Sequence, residues 1–176
     1  NKILTLPAKN VCLPLNDTDK ETLKLLMEYL VISQDEEKNR EYNLRPGVGL
    51  AAPQIGILKK LLAIYTEDEY GIKHKYMLIN PKIQSHSVEE TYMPTGEGCL
   101  SVDRSIPGYV IRPKRVTIDT FRLTDEGETI KETLRFKDYL AIIVQHEIDH
   151  LHGILFTDRI NKKNPFHVPE GALPVK

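Results

Sequence analysis

The segment Asp138-Tyr-Leu-Ala-Ile-Ile-Val-Gln-His-Glu-Ile-Asp-His-Leu-His-Gly153 carries more structural information than any other part of the chain. Leu140, Ile142, Ile143, Val144 and Ile148 spread around most of a helical circumference, and a helix that is apolar nearly all round is buried. Asp138 is a candidate N-cap and Gly153 a C′ stop, which predicts a helix from 138 to about 152. Inside this apolar helix stand His146, Glu147 and His150. Burying three titratable groups without a purpose is costly. On a helix, positions i and i+4 share a face, so both imidazoles can bind one metal ion. Glu147 lies roughly 100° further round, where it can accept a proton from water on that metal without being a ligand. A divalent metal brings the pKa of such a water toward roughly 7.

The flanking chain predicts what packs against this helix. Thr18-Asp-Lys-Glu21 reads as a capping box, and Leu23, Leu26, Met27 and Leu30 follow at helical spacing, giving a separate N-terminal helix over 19–33. The charged stretch 34–42 finishes that helix or loops out, and Arg45-Pro46-Gly47 breaks it. Strands are expected over 60–66, 76–80, 82–87, 110–121 and 128–136. A hairpin turn at Thr124-Asp-Glu-Gly127 joins the last two. The fold class is therefore α+β: mostly antiparallel strands packed around a central buried HExxH helix, as one domain over 1–176.

Composition sets the limits. With 176 residues, 24 Lys+Arg against 25 Asp+Glu and 40% hydrophobic residues, the chain has the make-up of a globular protein with a sizeable core. Near-zero net charge gives no case for direct nucleic-acid or membrane binding. The basic stretch 112–115 and Lys162–Lys163 are expected to be solvated surface. Cys12 and Cys99 are too few for a disulfide framework, and the role argued for Cys99 needs a reduced thiol. That points to a cytoplasmic setting. The chain begins at Asn1 rather than Met, which leaves room for missing native residues or an organellar leader.

The third ligand decides which chemistry the helix serves. A zincin-type peptidase would take one downstream, where His152, Asp158, His167 and Glu170 are the candidates. A purely structural metal site would need a fourth protein ligand, such as His152 or Asp149. Asp149 is otherwise expected to orient a ligand imidazole or to sit on the surface. Upstream stands Glu97-Gly-Cys-Leu-Ser101, whose thiolate is a strong ligand, and Gly96 and Gly98 allow close backbone approach. Gly47-Val-Gly-Leu-Ala-Ala-Pro-Gln54 is a second small, Gly-rich stretch, ending in an amide that can face a developing oxyanion.

Taken in order, GVGLAAPQ, EGCLS and QHEIDHLHG resemble the three signature motifs of peptide deformylases, in the longer class found in Gram-positive bacteria. The resemblance implies a metal-dependent hydrolase that removes the N-formyl group from N-terminal formylmethionine and releases formate. It implies Cys99, His146 and His150 as ligands, water in the fourth position and Glu147 as general base. Gln54 and the Leu100 backbone N–H would stabilise the oxyanion, and Gly49 would pair with the peptide main chain. Val48, Gly98, Tyr139, Ile142 and Ile143 match positions that line the methionine pocket, and Glu97 with Arg112 matches an ion pair bracing the Cys99 loop. Ferrous iron is the implied cofactor, with zinc, nickel or cobalt able to substitute. The implied partners are nascent formylmethionyl peptides, met in transient association with the ribosome.

Overall fold

The structure, a computed structural model, describes residues 1–103 and 105–176. Its organisation follows from an apolar run that carries no helical period. Leu61, Leu62, Ala63 and Ile64 open β2 (Leu61–Glu67) and all four are buried. Side chains alternate between the faces of a strand, and here both faces are covered. Leu61 and Ala63 pack with Leu23, Leu26 and Leu30 of α1 (Asp17–Gln34). Leu62 and Ile64 pack with Ala141, Val144, Ile148 and Leu151 of α3 (Asp138–Leu151). The two helices therefore lie on opposite sides of the same strand. Each fully buried aliphatic side chain contributes about 1.5–3 kcal/mol.

The sheet between them has the order β1-β2-β3-β6-β7 and is antiparallel throughout, with β1 at Gly49–Ala51, β3 at Lys73–His86, β6 at Arg115–Leu123 and β7 at Thr129–Lys137. A second sheet has the order β5-β4-β8, with β4 at Glu90–Tyr92, β5 at Arg112–Pro113 and β8 at Leu173–Pro174. Its β4–β8 pair is parallel. A short helix α2 (Glu36–Tyr42) follows α1 directly. The fold is α+β with mostly antiparallel sheets, as expected.

Several local expectations are corrected. Helix α1 starts earlier than the capping box implied: Asn16 is the N-cap and its Oδ1 accepts from Asp19 N at 2.8 Å. The 34–42 stretch is a helix of its own because Asp35 recaps the chain, accepting from Glu37 N and Lys38 N. The strands expected over 76–80 and 82–87 are one strand, bulged around Pro81, which has no N–H to give the ladder. Asn80 takes the left-handed conformation at the bulge and ties down the N-terminal segment through Val11 N and O. The strand expected over 110–121 divides into β5 and β6. Asp138 does not cap α3 with its side chain; it is the first helical residue, and its N–H donates to Lys114 O at 2.9 Å. Gly153 does stop the helix, with φ at +72°. No helix among the described residues is long and apolar enough to cross a membrane.

Candidate metal centre and cleft

Three chain segments meet at one end of α3. The helix brings His146, Glu147 and His150, all buried. The loop between β4 and β5 brings Cys99, and β1 brings Gly49. One ligand atom from each of Cys99, His146 and His150 lies within 4.8 Å of the others, and Cys99 Sγ is 3.3 Å from His150 Nε2. His152, Asp158, His167 and Glu170 are exposed and none joins this group among the described residues. The upstream cysteine is thus the residue that the fold brings to the two histidines.

The donor set suits a divalent metal on chemical grounds, one sulfur and two imidazoles. A second observation points the same way. Glu147 Oε2 is buried and has no hydrogen-bond partner among the described residues, a costly state for a carboxylate unless a water or substrate atom meets it. As a property of the polypeptide alone, burial pushes Glu147 up to about 7, against the pull of the His146 and Arg112 charges. Burial opposes a charge on His146. Its hydrogen bonds to Cys99 and Glu97, and the Glu147 and Glu97 charges, prevail and raise it to about 10. His150 is pushed down to about 4 by burial and then by the His146 charge. A cation bound among them takes over the role of these protons, since ligands bind it deprotonated.

The surroundings hold the ligands still. Glu97 Oε1 meets His146 Nδ1 at 2.9 Å, which turns the other ring nitrogen toward Cys99. The Arg112 guanidinium clasps both Glu97 oxygens at 2.7 and 2.8 Å, and the two side chains are only 3% exposed. Burial would raise the Glu97 pKa, but the hydrogen bonds from Arg112 and His146 hold it below the usual carboxylate value. The expected Glu97–Arg112 pair is present and buried. Asp149 does not orient an imidazole: among the described residues its side chain makes its hydrogen bonds to Arg112 and Arg159.

Gln54 is fixed at both ends of its amide. Its Oε1 accepts from Ala51 N at 2.9 Å, while its Nε2 donates to Ser101 Oγ at 3.0 Å and lies 3.5 Å from Cys99 Sγ. The Leu100 side chain packs so close to Gly47 that a Cβ there would stand 2.6 Å from Leu100 Cδ1. Gly49 is needed for a similar reason, because its missing side chain leaves the space that Glu147 fills. A cleft of about 320 Å³ opens beside these groups, and Val48, Gly98, Tyr139, Ile142 and Ile143 are all in its wall.

Four contributors have roles that their place in the sequence does not reveal, although Ser101 lies within the EGCLS motif. Ser101 brackets Cys99 through its N–H and hydroxyl. Arg45 donates to the carbonyls of Cys99 and Val102 and so ties the ligand loop to the segment that leads into β1. Ser33 and Gln34, at the end of α1, bond Gly47 N and O. Only their position next to Gly47 in space, which no periodicity reports, marks them as supports of the site.

The chain is similar to known proteins of one family. The sequence profile described as polypeptide deformylase matches residues 1–166. Peptide deformylase 2 of Geobacillus stearothermophilus is 52% identical over 168 residues, which is 96% of this chain and 89% of that protein. Peptide deformylase 2 of Bacillus anthracis is 51% identical over 174 residues, covering 99% and 92%. Among solved structures, Arabidopsis thaliana peptide deformylase 1B in complex with an inhibitor superposes with a TM-score of 0.71 at 29% identity, covering 93% of this chain and 79% of that one.

Proposed function

The chain belongs to the peptide deformylase family, and on that premise we propose how its own residues perform the family's reaction. The protein is a hydrolase that removes the N-formyl group from the N-terminal formylmethionine of new polypeptides, releasing formate. The observation that carries the mechanism is the convergence of Cys99, His146 and His150 within 4.8 Å, beside a buried Glu147 with one oxygen unpartnered.

Cys99 Sγ and one nitrogen each of His146 and His150 would hold the metal. When bound, a divalent cation supplies Lewis acidity and makes water acidic enough to ionise near neutral pH. Glu147, on the same helix, takes the proton of the attacking water and returns it to the leaving amine. The Gln54 amide and the Leu100 backbone N–H stabilise negative charge on the formyl oxygen. Gly49 binds the peptide main chain at the free edge of β1, as an added strand. Val48, Gly98, Tyr139, Ile142 and Ile143 receive the methionine side chain. The acyl carbon of a formyl group carries only hydrogen, so a close-walled site admits it and rejects bulkier acyl groups.

The finer parts of the reading rest on chemistry and kinship. We assign Fe(II) as the working ion on kinship alone; the ligand set does not select it, since one thiolate and two imidazoles suit zinc, nickel and cobalt as well. An Fe(II)–thiolate centre is also open to oxidation. We read α3 as the element around which the fold is organised, since every residue from Ala141 to Leu151 is buried. The substrate places the protein in the bacterial cytoplasm, in transient association with the ribosome; direct nucleic-acid or membrane binding is no part of the proposal. The test is formate release from a formylmethionyl peptide against its acetylated analogue. The Glu147→Gln protein should keep its metal and lose about 10²–10⁴-fold in rate; a fully active Glu147→Gln protein would sink the mechanism.

A further inference from the structure

Asp149 takes no part in the reaction above, yet its side chain is only 9% exposed and accepts three charge-assisted hydrogen bonds. Its Oδ2 accepts from Arg112 Nη1 at 2.9 Å and from Arg159 Nε at 2.5 Å, and its Oδ1 accepts from Arg159 Nη2 at 2.6 Å. Arg112 is shared, because its Nε and Nη2 clasp Glu97, and Glu97 Oε1 in turn meets His146 Nδ1. A continuous chain of contacts therefore runs Arg159–Asp149–Arg112–Glu97–His146. Its two carboxylates are matched by two guanidinium groups. Arg159 is the most exposed of the four charged members, at 41%. It also comes from beyond α3, at the end of the 3-10 turn Phe156–Arg159.

We propose that Arg159 is a positioning residue for the metal ligand His146, acting by neutralising Asp149 so that Arg112 stays committed to Glu97. The inference rests on the reading of Cys99, His146 and His150 as a metal site. With Arg159 present, each buried carboxylate has a bidentate guanidinium partner: Glu97 has Arg112, and Asp149 has Arg159. Without it, one guanidinium faces two buried carboxylates, and Asp149 keeps a single hydrogen bond at Oδ2. A buried charge left without its partner is strongly unfavourable. The nearest relief is for Arg112 to turn from Glu97 toward Asp149. Glu97 then loses the clasp that fixes it, and His146 loses the acceptor that fixes its ring. Partners that orient a ligating histidine are worth about 10–100-fold in metal affinity.

The test reads metal retention, not turnover. Wild-type protein and variants are loaded with Zn²⁺, and loss of the ion to a chromogenic chelator is followed over time. Wild-type protein that takes up no Zn²⁺ would defeat the metal-site reading itself, a result distinct from any difference among variants. Given wild-type loading, Arg159→Ala should release Zn²⁺ about 10–100-fold faster. Adding Asp149→Asn to Arg159→Ala should bring the rate back to within a few-fold of wild type. An amide there carries no charge to draw Arg112 away, yet it keeps an oxygen for Nη1. A role limited to tying down the C-terminal segment predicts no such rescue. The inference is overturned if Arg159→Ala retains Zn²⁺ as wild type does, or if the double variant is as leaky as the single one.

Discussion

Replacing Gly49 with alanine tests the placement of Glu147 by a route that removes no charged or ligating group. A Cβ at Gly49 would stand 2.6 Å from Glu147 Oε1, 2.8 Å from Cγ and 2.9 Å from Cδ. Unstrained contacts between heavy atoms lie near 3.5–4.0 Å, so the carboxylate must retreat by about 1 Å. Glu147 is only 4% exposed, and the packed helix gives it little room to return by another path. Misplacing a reacting group by about 1 Å costs on the order of 10²-fold in rate, which is about 2.7 kcal/mol at 1.36 kcal/mol per factor of ten. Stability should change less. Alanine relieves the roughly 0.5–1 kcal/mol penalty of glycine in a strand and adds about 1–3 kcal/mol of overpacking. The expected outcome is a folded protein with wild-type metal content and a kcat for formate release about 10²-fold lower. Combining Gly49→Ala with Glu147→Gln should then cost little more than Glu147→Gln alone, because the two changes act through one group. A Gly49→Ala enzyme with kcat within about threefold of wild type, against the factor reasoned from displacement, would refute the placement. So would losses that simply multiply in the double variant.

Two further outcomes follow from the charges around His146. Arg112 and His146 hold the Glu97 pKa below its ordinary 4.5. A group depressed on folding contributes stability above its unfolded pKa and loses it as the pH falls through the folded value. The urea midpoint of the wild type should therefore drop below about pH 4.5 more steeply than that of Glu97→Gln, and parallel curves would contradict the pairing. In the polypeptide alone, His146 keeps its proton up to about pH 10. Loading the metal-stripped protein near pH 8 should then expel that proton and acidify a weakly buffered, dye-monitored solution. Loading with no acidification would contradict the combination of a protonated His146 beforehand and a ligating one afterwards.

The sequence exposes those parts of the molecule whose cause is local. Helix α3 is legible because its burial, its stop at Gly153 and its His-Glu-His pattern all lie within one continuous segment. The α1 face is legible for the same reason, through Leu23, Leu26, Met27 and Leu30. Boundaries are harder where a side chain acts on its neighbours by a bond that no period records. Asn16 rather than Thr18 caps α1, and Asp35 starts a second helix where a single longer one or a loop is the simpler expectation. β1 is only three residues long, and Gly49 at its start has poor strand propensity. It is a strand because β2 offers it an edge, and the sequence of β1 contains no sign of that offer.

The candidate metal centre divides along the same line, and Cys99 is the member whose approach is not legible locally. The two histidines are four residues apart on one helix, so their convergence follows from helical geometry. Cys99 stands in a loop between two strands of the other sheet, and its approach depends on contacts made far from it in the chain. Glu97 reaches Arg112 across 15 residues and His146 across 49, and Arg112 reaches Asp149 across 37. Such a network has no sequence period, and only matching the order and separation of whole motifs reveals it. Where the helix stands alone, the third ligand stays open between a downstream residue and an upstream thiol. The fold brings the upstream thiol to the two histidines, and none of the downstream candidates among the described residues, with the Glu97–Arg112–Asp149 charges linking the Cys99 loop to α3. The charge network thus joins the thiol loop to the helix, alongside the Arg45 bonds to that loop and the packing of Cys99 with Val110, Phe156 and Ile160.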